Sequence, residues 1–262
     1  MNKPQGTLYG ASLGPGDEGL ITRRVWALLQ RTDTHWTYPI RRKDADSHAL
    51  QIVLRAGLDL PTEHTPLIFP MTHDAEILAG YWCRAAETVL TQLHDGKDVV
   101  FLVEGDASTY STFGHLARTV QALDANAHIE TIAGVSSFNA AAARVAMPLA
   151  DTDETIAIIP ASYGIAMIER LLNDFDTLVL LKVKPLLDDI LDLLERRDLL
   201  AQTAFIEKAG APEERVERDV LKLRGEKVNY LSLLLVRNPH RQRGEMIRGC
   251  RKKTSLVTEE NE

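Results

Sequence analysis

Three short glycine-containing turns carry the residue types in this 262-residue chain that could bind a small polar ligand. They lie at 14–17 (GPGD), 105–108 (GDAS) and 133–137 (AGVSS), each after a strand-like pattern and before a helical one. Glycine permits positive φ and close approach of a ligand, so main-chain groups in such turns can hold adenine edges and ribose hydroxyls. The first turn lacks the dinucleotide glycine spacing and a Walker lysine, so nicotinamide and ATP binding are both weak interpretations.

Alternating strand and helix patterns must position these turns. Residues 99–103 form a continuous apolar run, which is typical of a strand buried on both faces of a parallel sheet. Further strands are predicted at 7–13, 34–43, 129–132, 155–159, 177–183 and 203–207, with helices at 78–93, 113–123, 165–172 and 186–194 and an Ala-rich helix before Pro148. Residues 216–223 and 230–236 predict a closing antiparallel pair. The alternation predicts an α/β fold, whose ligands bind beyond the carboxyl ends of strands.

The ends of two helices have recognisable signals. Asp17 is a suitable N-cap for a first helix that would place Ile21, Val25 and Leu28 on one face. Gly96 is a suitable residue to follow the end of the helix at 78–93. The helical pattern ends and the chain turns at 124–128, which predicts an N-terminal α/β domain over 1–124 and a C-terminal one over 125–240. Residues 241–262 are charged and aperiodic, which indicates a solvated, flexible tail or a partner-binding segment.

Composition limits the class of function. The chain is 45% hydrophobic and 26% charged with a net charge of −7, which argues against nonspecific nucleic-acid binding. A local basic patch on such a chain can still bind an acidic small molecule. No apolar run reaches the length of a membrane span, and the polar start does not resemble a signal peptide. Cys83 and Cys250 have no ligand spacing, so we expect a cytoplasmic protein without a membrane partner or a protein-held metal.

Taken in order, the three turns are similar to the signatures of a known family. GASLGPGDEGLITRR, EGDASTYST and AGVSSFNAAAARVAMPL resemble the three signatures of the tetrapyrrole methylases, and the resemblance runs from about residue 6 to residue 238. Ala107 and Ala133 stand where that family commonly has proline. The segments FPMTHD, YST, TLVLLKV and YLSLLLV narrow the resemblance to members that methylate the C-20 meso carbon of precorrin-2 or cobalt-factor II.

The resemblance implies a fold of two α/β domains with mixed sheets and S-adenosylmethionine in the cleft between them. It also implies cofactor-binding roles for residues at the matching positions. Pro15 would line the cleft, and Lys182, Ala209 and Leu231 would lie near the adenosine. The methionine and ribose portions would be contacted by Glu104, Gly105, Asp106, Ser108, Ser136 and Ser137.

The implied reaction needs a base for the C-20 proton and positive charge for the carboxylates of the substrate. Asp106, Tyr110 and Asp17 are candidate bases, although Asp106 could instead cap a loop or bind ribose. The candidate substrate cations are Arg23, Arg24, Arg41, Arg42 and Lys43, unless they form a solvated face. None of the eight histidines shows metal-ligand spacing, but His35 or His115 could ligate cobalt within a substrate.

Other functions remain open from the sequence. A sibling methylase acting at another ring position would carry the same turns, and so would a non-catalytic module that binds an S-adenosyl ligand. Diphthamide-type protein methylation shares the fold, although FPMTHD and YST argue against it. Family members are usually homodimers, which is the assembly that we expect.

Overall fold

The computed structural model describes residues 4–72 and 74–242, so most of the predicted tail, 243–262, lies outside the described residues. Within the described part of the chain, no helix is both long and apolar enough to cross a membrane. The strands and helices alternate, which confirms the predicted α/β class, and the strands within residues 4–72 and 74–242 form two five-stranded sheets.

The first sheet is parallel throughout, in the order β3-β2-β4-β1-β5. Its strands are β1 (Thr7–Ser12), β2 (Thr34–Ile40), β3 (His64–Ile68), β4 (Asp98–Val103) and β5 (His128–Ile132). Its helices are α1 (Arg23–Leu29), α2 (His48–Arg55), α3 (Ala75–His94) and α4 (Thr112–Leu123).

The apolar run of β4 is buried on both faces, as its sequence predicts. Val99, Phe101 and Val103 pack in one core cluster with α3 and α4. Val100 and Leu102 pack in the other cluster, with α1 and α2. Because helices cover both faces of this sheet, a ligand can reach it at the carboxyl ends of the strands.

The second sheet is mixed, in the order β6-β7-β10-β8-β9, with β6 and β7 parallel and the other neighbours antiparallel. Its strands are β6 (Ile156–Pro160), β7 (Thr177–Leu181), β8 (Thr203–Glu207), β9 (Arg215–Glu217) and β10 (Ser232–Arg237). Helix α5 (Ser137–Arg144) packs on one face, and α6 (Ile165–Asp174) and α7 (Leu187–Arg196) pack on the other.

Two sequence predictions about this second half need correction. The predicted closing pair is wrong, because β9 pairs with β8, residues Val220–Leu223 form a 3-10 turn, and β10 lies between β7 and β8. The predicted boundary after residue 124 falls before β5, which pairs with β1 in the first sheet. The change of sheet therefore comes between β5 and α5. The division into two domains stays a prediction.

Other differences concern helix and strand ends. The strand predicted at 34–43 ends at Ile40, and β3 and α2 were not predicted. Asp17 caps a 3-10 turn at Glu18–Leu20 by accepting from Gly19 N at 2.8 Å, whereas α1 begins later, behind the cap Thr22. The prediction for Gly96 is confirmed, since it follows α3 with a φ of 77°.

Candidate functional site

The three glycine-containing turns meet at the carboxyl ends of the strands of the first sheet. Gly14 and Gly105 form an antiparallel bridge in which Gly105 N donates to Gly14 O at 2.7 Å. The buried hydroxyl of Ser12 donates to Ile132 O at 2.5 Å and accepts from Ala107 N at 2.8 Å. These bonds fix the second turn against the first and against the strand that leads into the third.

Asp106 joins the second turn to the third. Its Oδ2 accepts from Gly134 N at 2.7 Å, and its Oδ1 accepts from Ser108 N at 2.9 Å, from the Ser108 hydroxyl and from the Thr109 hydroxyl at 3.3 Å. Burial by itself would raise the pKa of Asp106, but these donors outweigh it and hold the pKa below its ordinary value. The carboxylate is therefore a charged anchor of the loops, which is the alternative role considered from the sequence.

The first turn also touches the second half of the chain. A Cβ built on Gly16 would lie 2.7 Å from Ala211 N, so a side chain at this position would separate the two loops. The Tyr110 hydroxyl donates to Ile158 O, in β6, at 3.0 Å. The carboxyl ends of the strands of the first sheet therefore face the second sheet directly.

A cavity of about 370 Å³ lies where the two sheets face each other. One side, here called the glycine-turn wall, consists of Pro15, 104–106, 109–112 and 136–138. The opposite side, the lysine wall, consists of 181–182, 206, 208–209 and 230–233. The remaining lining comes from the ends of β2 and β4, the start of α2, Phe69 and Met71. A volume of this size suits a small ligand.

Most residues predicted to bind the cofactor line this cavity, and Ser108 is the exception. Ser108 is exposed and donates its hydroxyl to Asp106, so it organises the turn. The lining members are Pro15, Glu104, Gly105, Asp106, Ser136, Ser137, Lys182, Ala209 and Leu231. Their lining positions agree with the prediction, and their binding roles remain predictions.

The predicted substrate cations separate into two groups. Arg41 lines the cavity, just past the end of β2. Arg42 and Lys43 follow it in an exposed loop and do not line the cavity, and neither do Arg23 and Arg24 at the start of α1. Arg24 instead forms an ion pair with Glu130. The helix begins later than the sequence indicated, and Arg24 on its first turn reaches Glu130 in β5.

Two of the three predicted bases, Asp106 and Tyr110, line the cavity, and Asp17 does not. Tyr110 lines the cavity and is 54% exposed, whereas Asp17 is exposed and lies outside the cavity lining. Tyr110 has a φ of 50°, a left-handed conformation that costs a non-glycine residue about 1–2 kcal/mol. Its strained backbone orients a ring that reaches across the cleft to β6.

Two cationic residues of the cavity were not predicted as substrate contacts. Lys208 and Lys182 both line it with positive φ, 50° and 57° respectively. Lys208 N donates to Leu231 O at 2.7 Å and Lys182 N donates to Ser232 O at 2.9 Å, so the backbone near β10 holds both strained residues in place. The sequence gives no signal for Lys208, because its position depends on pairing between distant strands.

His48 lies at the start of α2 and also lines the cavity. Partial burial lowers its pKa most, and the positive charges of Arg41 and Lys208 lower it further against the smaller opposing effects of Glu213 and Asp46. The same positive field that disfavours an imidazolium would favour an anionic group of a ligand. This part of the cavity is therefore suited to a carboxylate.

Glu104, directly after β4, has the most perturbed acidic group of the cavity. Burial raises the pKa of its carboxyl to about 7, although the Arg41 guanidinium acts in the opposite direction. No hydrogen bond or ion pair to this side chain occurs within residues 4–72 and 74–242. A half-buried acid of this kind can exchange a proton near neutral pH.

The histidines suggested for cobalt ligation do not reach the cavity lining. His35 lies near the amino end of β2, the end remote from the cavity, and bonds to Thr65 at 2.8 Å. His115 lies on α4, where its ring packs against Trp82 at an interplanar angle of 31° with 5.1 Å between centroids. In the described part of the chain, no group of three or more His, Cys, Asp or Glu side chains could hold a metal ion.

The fold and the cavity define an α/β protein of two facing sheets, with glycine-rich turns around a small-ligand site between them. The chain belongs to the tetrapyrrole (corrin/porphyrin) methylases, whose family model matches residues 7–223. This membership confirms the family predicted from the three turns.

Similar proteins cover nearly the whole chain. Cobalt-precorrin-2 C(20)-methyltransferase of Salmonella typhimurium is 34% identical over 232 residues, which are 88% of this chain and 96% of the relative. Probable cobalt-precorrin-2 C(20)-methyltransferase of Methanocaldococcus jannaschii is 30% identical over 239 residues, which are 90% and 98% of the two chains. The crystal structure of uroporphyrin-III C-methyl transferase from Thermus thermophilus, complexed with S-adenyl homocysteine, matches with a TM-score of 0.59 at 21% identity, covering 88% of this chain and 97% of that one. This last likeness supports the fold.

Proposed function

We propose that the protein transfers a methyl group from S-adenosylmethionine to the C-20 meso carbon of precorrin-2 or of its cobalt-containing counterpart. The observation that carries the proposal is the agreement of two relatives, both named for C(20) methylation and both at least 30% identical over about nine-tenths of this chain. The cobalt in both names favours the cobalt-containing substrate.

The glycine-turn wall fits the cofactor. A Cβ built on Gly105 would meet no protein atom within 4 Å, so a ligand can approach the backbone there. Ser136 Oγ accepts from the Asn139 amide at 3.0 Å, which leaves its own hydroxyl hydrogen free to donate to a ligand. When bound, S-adenosylmethionine supplies a methyl group that its sulfonium has already activated. The residues expected to hold it are those of this wall, with Lys182, Ala209 and Leu231 opposite.

The residues of the chain contribute mainly orientation. Holding a reactive methyl group and an electron-rich carbon in line can supply about 7–11 kcal/mol of the barrier. The bonds that join the three turns fix one wall, and Lys182 and Lys208 supply positive charge at the other, where Lys208 Nζ also lies 3.8 Å from Glu213 Oε2. Arg41, Lys182 and Lys208 would then bind the carboxylates of the tetrapyrrole and fix which meso carbon faces the methyl group.

The test is a methyl-transfer assay with two acceptors. Protein would be incubated anaerobically with 13C-methyl S-adenosylmethionine and either precorrin-2 or its cobalt-containing counterpart, and the product would be examined by NMR. We expect label at C-20, with faster transfer to the cobalt-containing acceptor. Label at another carbon would identify a sibling methylase. S-adenosylhomocysteine binding without transfer to either acceptor would contradict the proposed reaction and retain only the ligand site.

Two further expectations concern the oligomeric state of the protein and its location in the cell. We expect a homodimer, which size-exclusion chromatography with light scattering would test by giving about twice the chain mass of 29.1 kDa. We also expect a cytoplasmic location, which fractionation of the source cells would test.

A further inference from the structure

Glu104 differs from the other acidic groups of the cavity in being half-buried while making no hydrogen bond or ion pair to another described residue. It follows the last residue of β4, the central strand of the first sheet, at the end of the sheet where the three turns meet. Asp106, two residues later, uses both carboxylate oxygens to hold the turns together. Asp46, the third acid of the lining, is exposed in the loop before α2.

Tyr110 is also engaged elsewhere. Its hydroxyl hydrogen is donated to Ile158 O, and accepting a proton from carbon would require the phenolate form. Asp17 lies outside the cavity lining. The three candidate bases chosen from the sequence are therefore less suited than Glu104, for which the sequence predicted a cofactor contact.

We propose that Glu104 is the proton acceptor of the reaction, removing the hydrogen from C-20 once that carbon carries the new methyl group. This inference rests on the proposed function. In the reaction a carbon–carbon bond forms at C-20 as the methyl–sulfur bond breaks, leaving a neutral thioether and a cationic tetrapyrrole. A Glu104 carboxylate oxygen then takes the C-20 proton, and the electron pair of the C–H bond restores the conjugated system. The neutral acid returns the proton to water when the product leaves.

The electrostatic environment suits this task. A pKa of about 7 leaves an appreciable carboxylate fraction at neutral pH and still gives the group a useful affinity for a proton. Arg41 favours the carboxylate before the reaction. The other charged or titratable groups that line the cavity are Asp46, His48, Asp106, Tyr110, Lys182, Lys208 and Tyr230.

The test separates methyl transfer from proton removal. Wild-type protein and Glu104→Gln would be mixed with S-adenosylmethionine and a tetrapyrrole acceptor deuterated at C-20 in a single turnover. S-adenosylhomocysteine formation would report methyl transfer, and deuterium release would report proton removal. We expect deuterium release to slow by about 10²–10⁴-fold in Glu104→Gln, with methylated, deuterium-retaining product accumulating on the protein. Glu104→Asp should recover part of the rate.

Two further measurements distinguish a catalytic role from a structural one. In the unliganded protein, an infrared difference spectrum between wild type and Glu104→Gln should contain a carboxyl band that titrates near pH 7. Urea denaturation should give similar stabilities for both proteins, because the Glu104 side chain makes no hydrogen bond or ion pair to another described residue. Glu87→Gln, an equal charge change on the exposed face of α3, should match wild type in every assay.

The outcomes are distinguishable. Deuterium release from Glu104→Gln at the wild-type rate, or a carboxyl band that titrates near pH 4, would overturn the role of Glu104 and leave the proposed methylation intact. A wild-type protein that transfers no methyl group to any tetrapyrrole would overturn the proposed function, and this role would fall with it.

Discussion

The two walls of the cavity are stabilised in opposite ways. The glycine-turn wall is held by short hydrogen bonds to buried side chains, with Asp106 joining two turns and Ser12 joining one turn to the end of β5. The lysine wall presents Lys182 and Lys208 in left-handed backbone conformations that the neighbouring strand must hold in place. In the first wall, apart from the strained Tyr110, the same contacts serve the fold and the site. In the second wall the site is built at a cost to the fold.

The largest effect should come from breaking the first wall with Asp106→Ala. The substitution removes the charged acceptor of the main-chain N–H groups of Gly134 and Ser108, and a hydrogen bond to a charged group contributes about 1.5–3 kcal/mol. We expect the free energy of unfolding to fall by about 3 kcal/mol in urea denaturation at pH 7. Affinity for S-adenosylhomocysteine should be lost as well, because the turns separate.

The pH dependence of this effect has a definite sign. The folded pKa of Asp106 lies below its ordinary value, so its stabilising contribution is complete above the unfolded pKa of about 3.9. It is lost as the pH falls through the lower, folded pKa. The difference in stability between wild type and Asp106→Ala should therefore be constant near neutrality and shrink below about pH 4. Asp59→Ala, which removes an exposed carboxylate, should cause little change at any pH, and an equal loss from both substitutions would contradict an anchoring role.

The sequence predicts the first wall better than the second. Glycines and the apolar run of β4 are local signals, and they located the three turns and the flanking strands, whereas the cofactor residues were implied by the resemblance to the family. The edge strand β3 was missed because it is short, half-exposed and interrupted by Pro66, which an edge strand tolerates. Helix α2 had a usable signal in the cap Ser47 followed by Ala49, Leu50, Ile52 and Val53.

What the sequence could not supply depends on contacts between distant residues. Lys208 enters the site because β10 inserts between β7 and β8, and no local pattern encodes that order. The shifted pKa of Glu104 likewise results from burial among several loops. Arg23 and Arg24 were misplaced because a 3-10 turn at Glu18–Leu20 delays the start of α1.

A pair of substitutions at Lys208 sharpens the contrast between the walls. Lys208→Ala removes the charge and keeps a side chain at a φ of 50°, whereas Lys208→Gly removes the charge and relieves the strain. In urea denaturation, the free energy of unfolding should be about 1 kcal/mol larger for the glycine variant than for the alanine variant. Both should raise the apparent KM for the tetrapyrrole by about two- to fivefold, the equivalent of one accessible charge pair.

The comparison at Lys208 can fail in two separate ways. Equal stability of the two variants would show that the strand pairing imposes no strain there. An unchanged KM in both would remove Lys208 from the substrate site. Lys222→Ala, which removes an exposed lysine from the surface 3-10 turn, provides the matched loss of charge.

The smallest effect concerns the link between the two halves, and Tyr110→Phe tests it. The substitution keeps the ring and the strained backbone but removes the hydroxyl that donates to Ile158 O at 3.0 Å. A neutral hydrogen bond at a largely exposed group is worth about 0.5 kcal/mol, so the free energy of unfolding should change by no more than that. Because the bond crosses the cleft, hydrogen exchange should quicken in β6 and in the 109–112 loop while remaining unchanged in β4. Substrate deuterium release at the wild-type rate would agree with a positioning role, whereas a loss as large as that expected for Glu104→Gln would reassign the proton transfer to the tyrosine.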